Sequence, residues 1–309
     1  MVKKLLIKFG IIILIVFTLD FTIGRVLRHF YFTQSSGFNY RTTYAMEMTE
    51  AEILVLGSSR ANHNYIPEIF EDSLNMSFYN AGRDGAGVLY QTAVLKSILK
   101  RYIPELIIID YYGSFEKGIP DLDNKSTLLP FYRTHDEIRE IVTANNKYEK
   151  IKLLSEIYPF NSEVLSIAIG NLEINKSRQP DNKGYVPLYR EWQSEIDSAD
   201  TENIYEPDPY KIHAYSELLN IAAKSNSKVV VIYSPVFMKN ANRKEIEICR
   251  NLCSAENVPF WDLSDDSLFL NDRKLFQDVS HLNQNGAKIF SLLIVDKIKA
   301  IIESVKISG

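Results

Sequence analysis

The chain has 309 residues, 35 Lys plus Arg against 39 Asp plus Glu, and a net charge of −4. With 46% hydrophobic residues, 18 Tyr and 16 Phe it can build a sizeable core, which excludes a chain dominated by disorder and a disulfide mini-protein. There is no basic excess to suggest a nucleic acid partner.

The first element is an apolar helix. Lys3, Lys4 and Lys8 precede and enter an apolar run, and counting from Leu5 to Ile23 gives 19 residues, or about 28 Å of helix. Asp20 falls near its far end. The weak small-residue pattern at Thr22-Ile23-Gly24 makes a cleaved signal peptide the alternative, leaving a secreted or periplasmic chain. An uncleaved single-pass anchor fits better, with the lysines in the cytoplasm and the remainder outside it. The expected organisation is therefore an anchor over 1–28, a juxtamembrane connector over 29–50 and an α/β domain over 51–309.

After the connector, strand and helix alternate. Ile53-Leu54-Val55-Leu56 is a continuous apolar run ending at Gly57, the pattern of a strand buried on both faces. Helix is expected over 66–74, strand over Ser77 to Asn80, helix over 88–101 and strand over Leu106 to Ile109. An insertion over about 111–210, with helical stretches at 135–157 and 162–170, interrupts the pattern and reads as a lid or recognition subdomain. Strands follow at Lys228–Tyr233 and Phe260–Leu263, with helices over 240–256 and 284–306. This predicts a three-layer α/β/α sandwich on a mainly parallel five-stranded sheet, with ligands beyond the carboxyl ends of the strands. Cys249 and Cys253 stand four apart in a helical pattern without two further ligands at suitable spacing. They read as plain thiols rather than a zinc site or disulfide.

Three motifs fall at strand ends. Gly57-Ser58-Ser59-Arg60 follows the first strand and exposes a serine on a strand-to-helix turn. Asn80-Ala81-Gly82-Arg83-Asp84-Gly85 follows the second, where glycines let backbone amides face an anion. Asp278-Val279-Ser280-His281 leads into the last helix, and His281 is the only one of five histidines with an acid three residues before it. Arg60, His63, Arg83 and Asp84 lie near the same strand ends. They read either as contacts to an acidic sugar or as solvated loop charges, and stay outside the site.

In this order the motifs resemble those of the SGNH (GDSL-type) hydrolase superfamily, in particular its membrane-anchored bacterial members with Gly-Ser-Ser-Arg in the first block. The resemblance covers roughly residues 50–115 and 225–305. It implies Ser59 as nucleophile, His281 as general base and Asp278 as its partner. It also implies an oxyanion hole from the amides of Ser59 and Gly85, with Asn80 in support. One block departs from the family: Asp110-Tyr111-Tyr112-Gly113-Ser114 holds no Asn where the third oxyanion donor belongs. Such a loss costs roughly 10²–10³ in rate, unless a Tyr or Ser hydroxyl substitutes.

The expected activity is serine-dependent ester hydrolysis outside the cytoplasm on acylated envelope glycans or another small ester, with no metal or organic cofactor required. The same site could transfer the acyl group to a sugar hydroxyl as an O-acyltransferase. Two other classes compete. Gly82-x-x-Gly85-x-Gly87 with Asp110 downstream mimics a dinucleotide fingerprint, in the wrong glycine order and after the wrong strand. A non-catalytic binding protein on the same scaffold would keep the fold and lose the serine reactivity.

Overall fold

The computed structural model describes residues 2–111, 115–117, 125–144, 146–173, 182–193, 205–237 and 243–308, without the side chains of 125, 243 and 301–308. The chain begins with α1 (Val2–Phe32), α2 (Gly37–Glu47), β1 (Ile53–Gly57), α3 (Ser59–Asn64) and α4 (Pro67–Leu74). Then come β2 (Phe78–Asn80), α5 (Val88–Leu99), β3 (Leu106–Asp110), α6 (Arg139–Thr143), α7 (Glu149–Lys152) and α8 (Val164–Asn171). The last third holds α9 (Pro209–Ala223), β4 (Lys228–Tyr233), α10 (Arg243–Ala255), β5 (Phe260–Asp262), α11 (Ser267–Leu270) and α12 (Gln284–Ser308). Contacts divide the chain into two units, Met1–Thr43 with Lys125–Arg178, and Tyr44–Asn124 with Gln179–Gly309.

The second unit carries the expected α/β fold. Its five strands run in the order β2-β1-β3-β4-β5 and every pairing is parallel. All residues of β1 and β3 are buried, which is why their sequences are unbroken apolar runs rather than alternating ones. Ile53, Val55, Leu106, Ile108, Val230 and Ile232 join Phe70 of α4 and Phe290 and Ile294 of α12 in one core. By strand alternation Leu54, Leu56, Ile107, Ile109 and Val231, all fully buried, serve the opposite face. There α5 packs on α9, and α9 on α10. From β1 the chain crosses to β2 on one side and then returns to β3 on the other. The crevice between the carboxyl ends of β1 and β3 is thus the topological switch point, where sheets of this kind bind ligands.

α9 is an addition to the expected elements. Asp208 caps it by accepting from the Tyr210 amide (2.9 Å), and Pro209 occupies its first turn. Cys249 and Cys253 are free thiols, both fully buried.

The first unit is helical. α1 is exposed on all sides up to Leu19 and apolar all round between Phe9 and Phe17, then docks within its own unit. Asp20 accepts from Ser155 Oγ (2.5 Å) and from the amides of Glu156 (2.7 Å) and Ile157 (3.4 Å). Tyr31 is buried against Phe131 and Phe160. The 29–50 stretch is therefore largely helical, as the end of α1 and as α2. The helix expected over 135–157 is broken into short turns, partly because the Asn146 side chain accepts from the Tyr148 amide (2.9 Å) and starts a new turn.

Gly24 is buried where α1 meets residue 156, and a Cβ there would overlap the Cβ and carbonyl carbon of Glu156. Gly24→Val should therefore destabilise this unit by about 1–3 kcal/mol. Limited proteolysis of the full chain in detergent should show earlier cleavage within 144–157, with the α/β unit unaffected.

Candidate active site

The turn after β1 is set by close packing. Gly57 has φ +153°, and a Cβ on it would lie 2.6 Å from Ala61 Cβ and 2.8 Å from Asp110 O. Only glycine lets β1 turn into α3 this tightly against β3. Ser58 precedes α3 with no side-chain capping bond and is buried, whereas Ser59 opens the helix partly exposed. The two serines therefore differ: Ser58 is packing, and Ser59 presents its hydroxyl.

His281 comes from a loop 222 residues later. That loop is built largely by Asp278, whose Oδ1 accepts from the amides of Ser280 (2.9 Å) and His281 (3.0 Å). This Asx-type turn is the physical content of the Asp-x-x-His spacing. Gln277 N–H closes the loop on His281 O (2.9 Å), Phe237 N–H donates to Val279 O (2.8 Å), and the buried Phe276 and Leu282 pair across its base.

With the loop so held, His281 Nδ1 lies 2.8 and 2.9 Å from the two oxygens of Asp278, and Nε2 lies 2.7 Å from Ser59 Oγ. An ionised carboxylate only accepts, so Nδ1 carries the hydrogen and Nε2 of the neutral ring accepts from the serine. Burial works to raise the Asp278 pKa, but the hydrogen bonds from His281 and from the Ser280 amide outweigh it and lower the value to about 2.

The oxyanion candidates are less uniform. Gly85 sits at a left-handed corner (φ +67°) of the turn that Ala86 N–H closes on Arg83 O (3.0 Å). Bonds from Ala81 N–H to Val55 O (2.8 Å) and from Arg83 N–H to Gly57 O (3.2 Å) hold this loop against β1. Asn80 ties this loop together: its Nδ2 donates to Ala61 O (2.6 Å) and its Oδ1 accepts from Gly82 N–H (2.9 Å). Of the hydroxyls considered as substitutes for the missing Asn, that of Tyr111 donates to Glu245 Oε1 (2.6 Å). Tyr112 and Ser114 lie outside the described residues.

Sequence reasoning missed the layer beneath. Arg60 is neither a sugar contact nor a solvated loop charge but completely buried. Its Nη1 donates to Ser234 O (3.1 Å), Nη2 donates to Tyr111 O, and Nε stands 3.7 Å from Asp110 Oδ1. Its Cζ lies 4.5 Å over the Tyr233 ring. Asp110, also fully buried, accepts from Tyr65 Oη (2.7 Å) and from Ser234 Oγ. Burial pushes the Asp110 carboxyl above its usual range, while Arg60, Ser234 and Tyr65 pull it back. Enclosed this way, Asp110 cannot hold a ribose, which removes the dinucleotide reading. His63 is also buried, with Nδ1 2.6 Å from Val186 O and Nε2 3.1 Å from Asp84 Oδ1, and its ring meets that of His281 edge-on at 5.8 Å.

No family model matches the chain, and no curated protein matches it. Among solved structures it is similar to a two-domain esterase active on acetylated mannans, at 12% identity and TM-score 0.40, over 80% of this chain and 48% of that one. It is also similar to a candidate acylhydrolase from Bacteroides fragilis, at 11% identity and TM-score 0.40, over 81% and 86%. The chain spans about half the length of the two-domain esterase.

Removing one partner of a buried ion pair strands the other. Arg60→Met should cost about 3–5 kcal/mol in denaturant unfolding, and Arg60→Met with Asp110→Leu should recover part of that loss. A single variant as stable as the parent would show that the pair contributes nothing.

Proposed function

We propose that the chain is a serine ester hydrolase of the SGNH type, anchored by α1 and acting outside the cytoplasm on acylated envelope glycans. The observation that carries this reading is the continuous hydrogen-bonded line from Ser59 Oγ through His281 to Asp278. A hydroxyl bonded to the accepting nitrogen of an imidazole, with a carboxylate on the other nitrogen, is the arrangement that activates serine toward an ester carbonyl. Location outside the cytoplasm rests on Lys3, Lys4 and Lys8 at the N-terminal end of α1, and the glycan substrate rests in turn on that location.

In this mechanism Ser59 Oγ attacks the acyl carbon while His281 Nε2 takes its proton. Asp278 keeps the ring oriented and stabilises the imidazolium. The negative charge on the former carbonyl oxygen falls to the amides of Ser59 and Gly85. His281 then returns the proton to the leaving alkoxide. Water, activated by the same imidazole, releases the acid and restores Ser59.

The test uses the full chain in detergent with a fluorophosphonate probe and an acetyl ester. Ser59→Ala should abolish labelling, and Asp278→Asn or His281→Ala should lower kcat by on the order of 10³–10⁶-fold. A folded parent that neither labels nor hydrolyses would overturn the reading and favour a binding role.

The pH profile is a separate check. Asp278 is ionised at every pH above about 2, so its charge is fully in place through the neutral range and is lost only as pH falls toward that value. An acid limb between pH 4 and 8 therefore belongs to another group. Glu245, raised to about 7 chiefly by burial, is one candidate. A limb that reports Glu245 should disappear in Glu245→Gln, and one that persists in that variant belongs to a different group.

A further inference from the structure

The large apolar side chains most exposed in the first unit, apart from α1, fall within residues 148–172. Ile151 is 63% exposed and Leu154 76%. They stand three apart and point outward together, while Glu149 and Leu153 between and beside them are buried. Tyr148 is half exposed, with Lys147 over its ring (4.9 Å) and the exposed Lys150 beside it. Apolar residues flanked by an aromatic and lysines are the composition of a membrane–water boundary.

The position of this segment along α1 says which surface it meets. A hydrocarbon core of about 30 Å needs about 20 helical residues. The run from Leu5 reaches such a length only by including Asp20, which places a carboxylate at the edge of the apolar layer. A charge there needs partners. They are Ser155 Oγ and the amides of Glu156 and Ile157, the residues directly after Leu154. The segment that satisfies Asp20 is therefore at the depth of Asp20, where Ile151 and Leu154 face outward beside the exposed Lys150 and Lys152.

We propose that Tyr148–Leu154 enters the interface of the same bilayer that α1 crosses, with Ile151 and Leu154 toward the acyl chains and the lysines at headgroup level. This rests on reading α1 as a retained anchor and is independent of the serine chemistry.

The test labels single cysteines in the full chain with an environment-sensitive fluorophore, in vesicles carrying lipids spin-labelled high on the acyl chain or near its end. Cys249 and Cys253 are fully buried, and the unsubstituted protein gives the background. Leu154→Cys and Ile151→Cys should lose most of their fluorescence to the shallow spin label and less to the deep one. Phe17→Cys, within the anchor, should respond to the deep label. If Phe17→Cys is quenched and neither of the others is, the interfacial segment is overturned while the anchor stands. If none is quenched, the anchor reading fails and takes this inference with it. A blue shift at Leu154→Cys without lipid quenching would mean a protein partner and would also overturn the proposal.

Discussion

The charge pair between Arg60 and Asp110 is the constraint on which the candidate site depends. It joins the turn after β1 to the ends of β3 and β4 through one fully buried guanidinium, which reaches Asp110 and the carbonyls of Tyr111 and Ser234. Ser59 is the residue before that guanidinium. Its place at the switch point is therefore set by an ion pair below the surface as well as by the backbone above it. A lysine could not do the same, because a single ammonium lacks the planar fork that satisfies several acceptors while lying flat on Tyr233.

Much of the sheet was legible because β1 and β3 are wholly buried apolar runs and β4 is buried over Val230 to Ile232, and a buried parallel strand leaves little choice of residue. The Asp278–His281 spacing was legible for a different reason: a carboxylate that caps the amides two and three residues on is a local event, complete within four residues. α9 carried a readable signal in Asp208-Pro209 ahead of its apolar positions. What could not be read was the reach of Arg60 to Asp110 and Ser234, because nothing near Arg60 in the sequence differs from a solvated loop. The same holds for Asn80, whose amide group bonds Ala61 O and Gly82 N–H. Pattern matching gives a residue's neighbourhood and not the direction of its side chain.

The missing third-block Asn can be viewed against this wiring. Where an oxyanion donor is expected after β3, the chain instead ends the strand with Asp110 as counter-ion for Arg60. Tyr111 follows with its hydroxyl on Glu245 and its ring against Phe115, Tyr215 and Tyr233. These side chains stabilise the sheet end rather than present donors to a ligand.

The docking of α1 also bears on what removing that helix would do to the unit it belongs to. Asp20 and Gly24 lie in the helix that would be discarded by signal cleavage, yet both are contact residues for the segment around Glu156. Cutting there would leave the amides of Glu156 and Ile157 without their acceptor and open the groove that Gly24 fills. Shedding would thus not yield the same molecule in soluble form, because solubility and the integrity of the helical unit are opposed. A recombinant design that begins just after the apolar run inherits the same defect, and a faithful preparation keeps the whole helix.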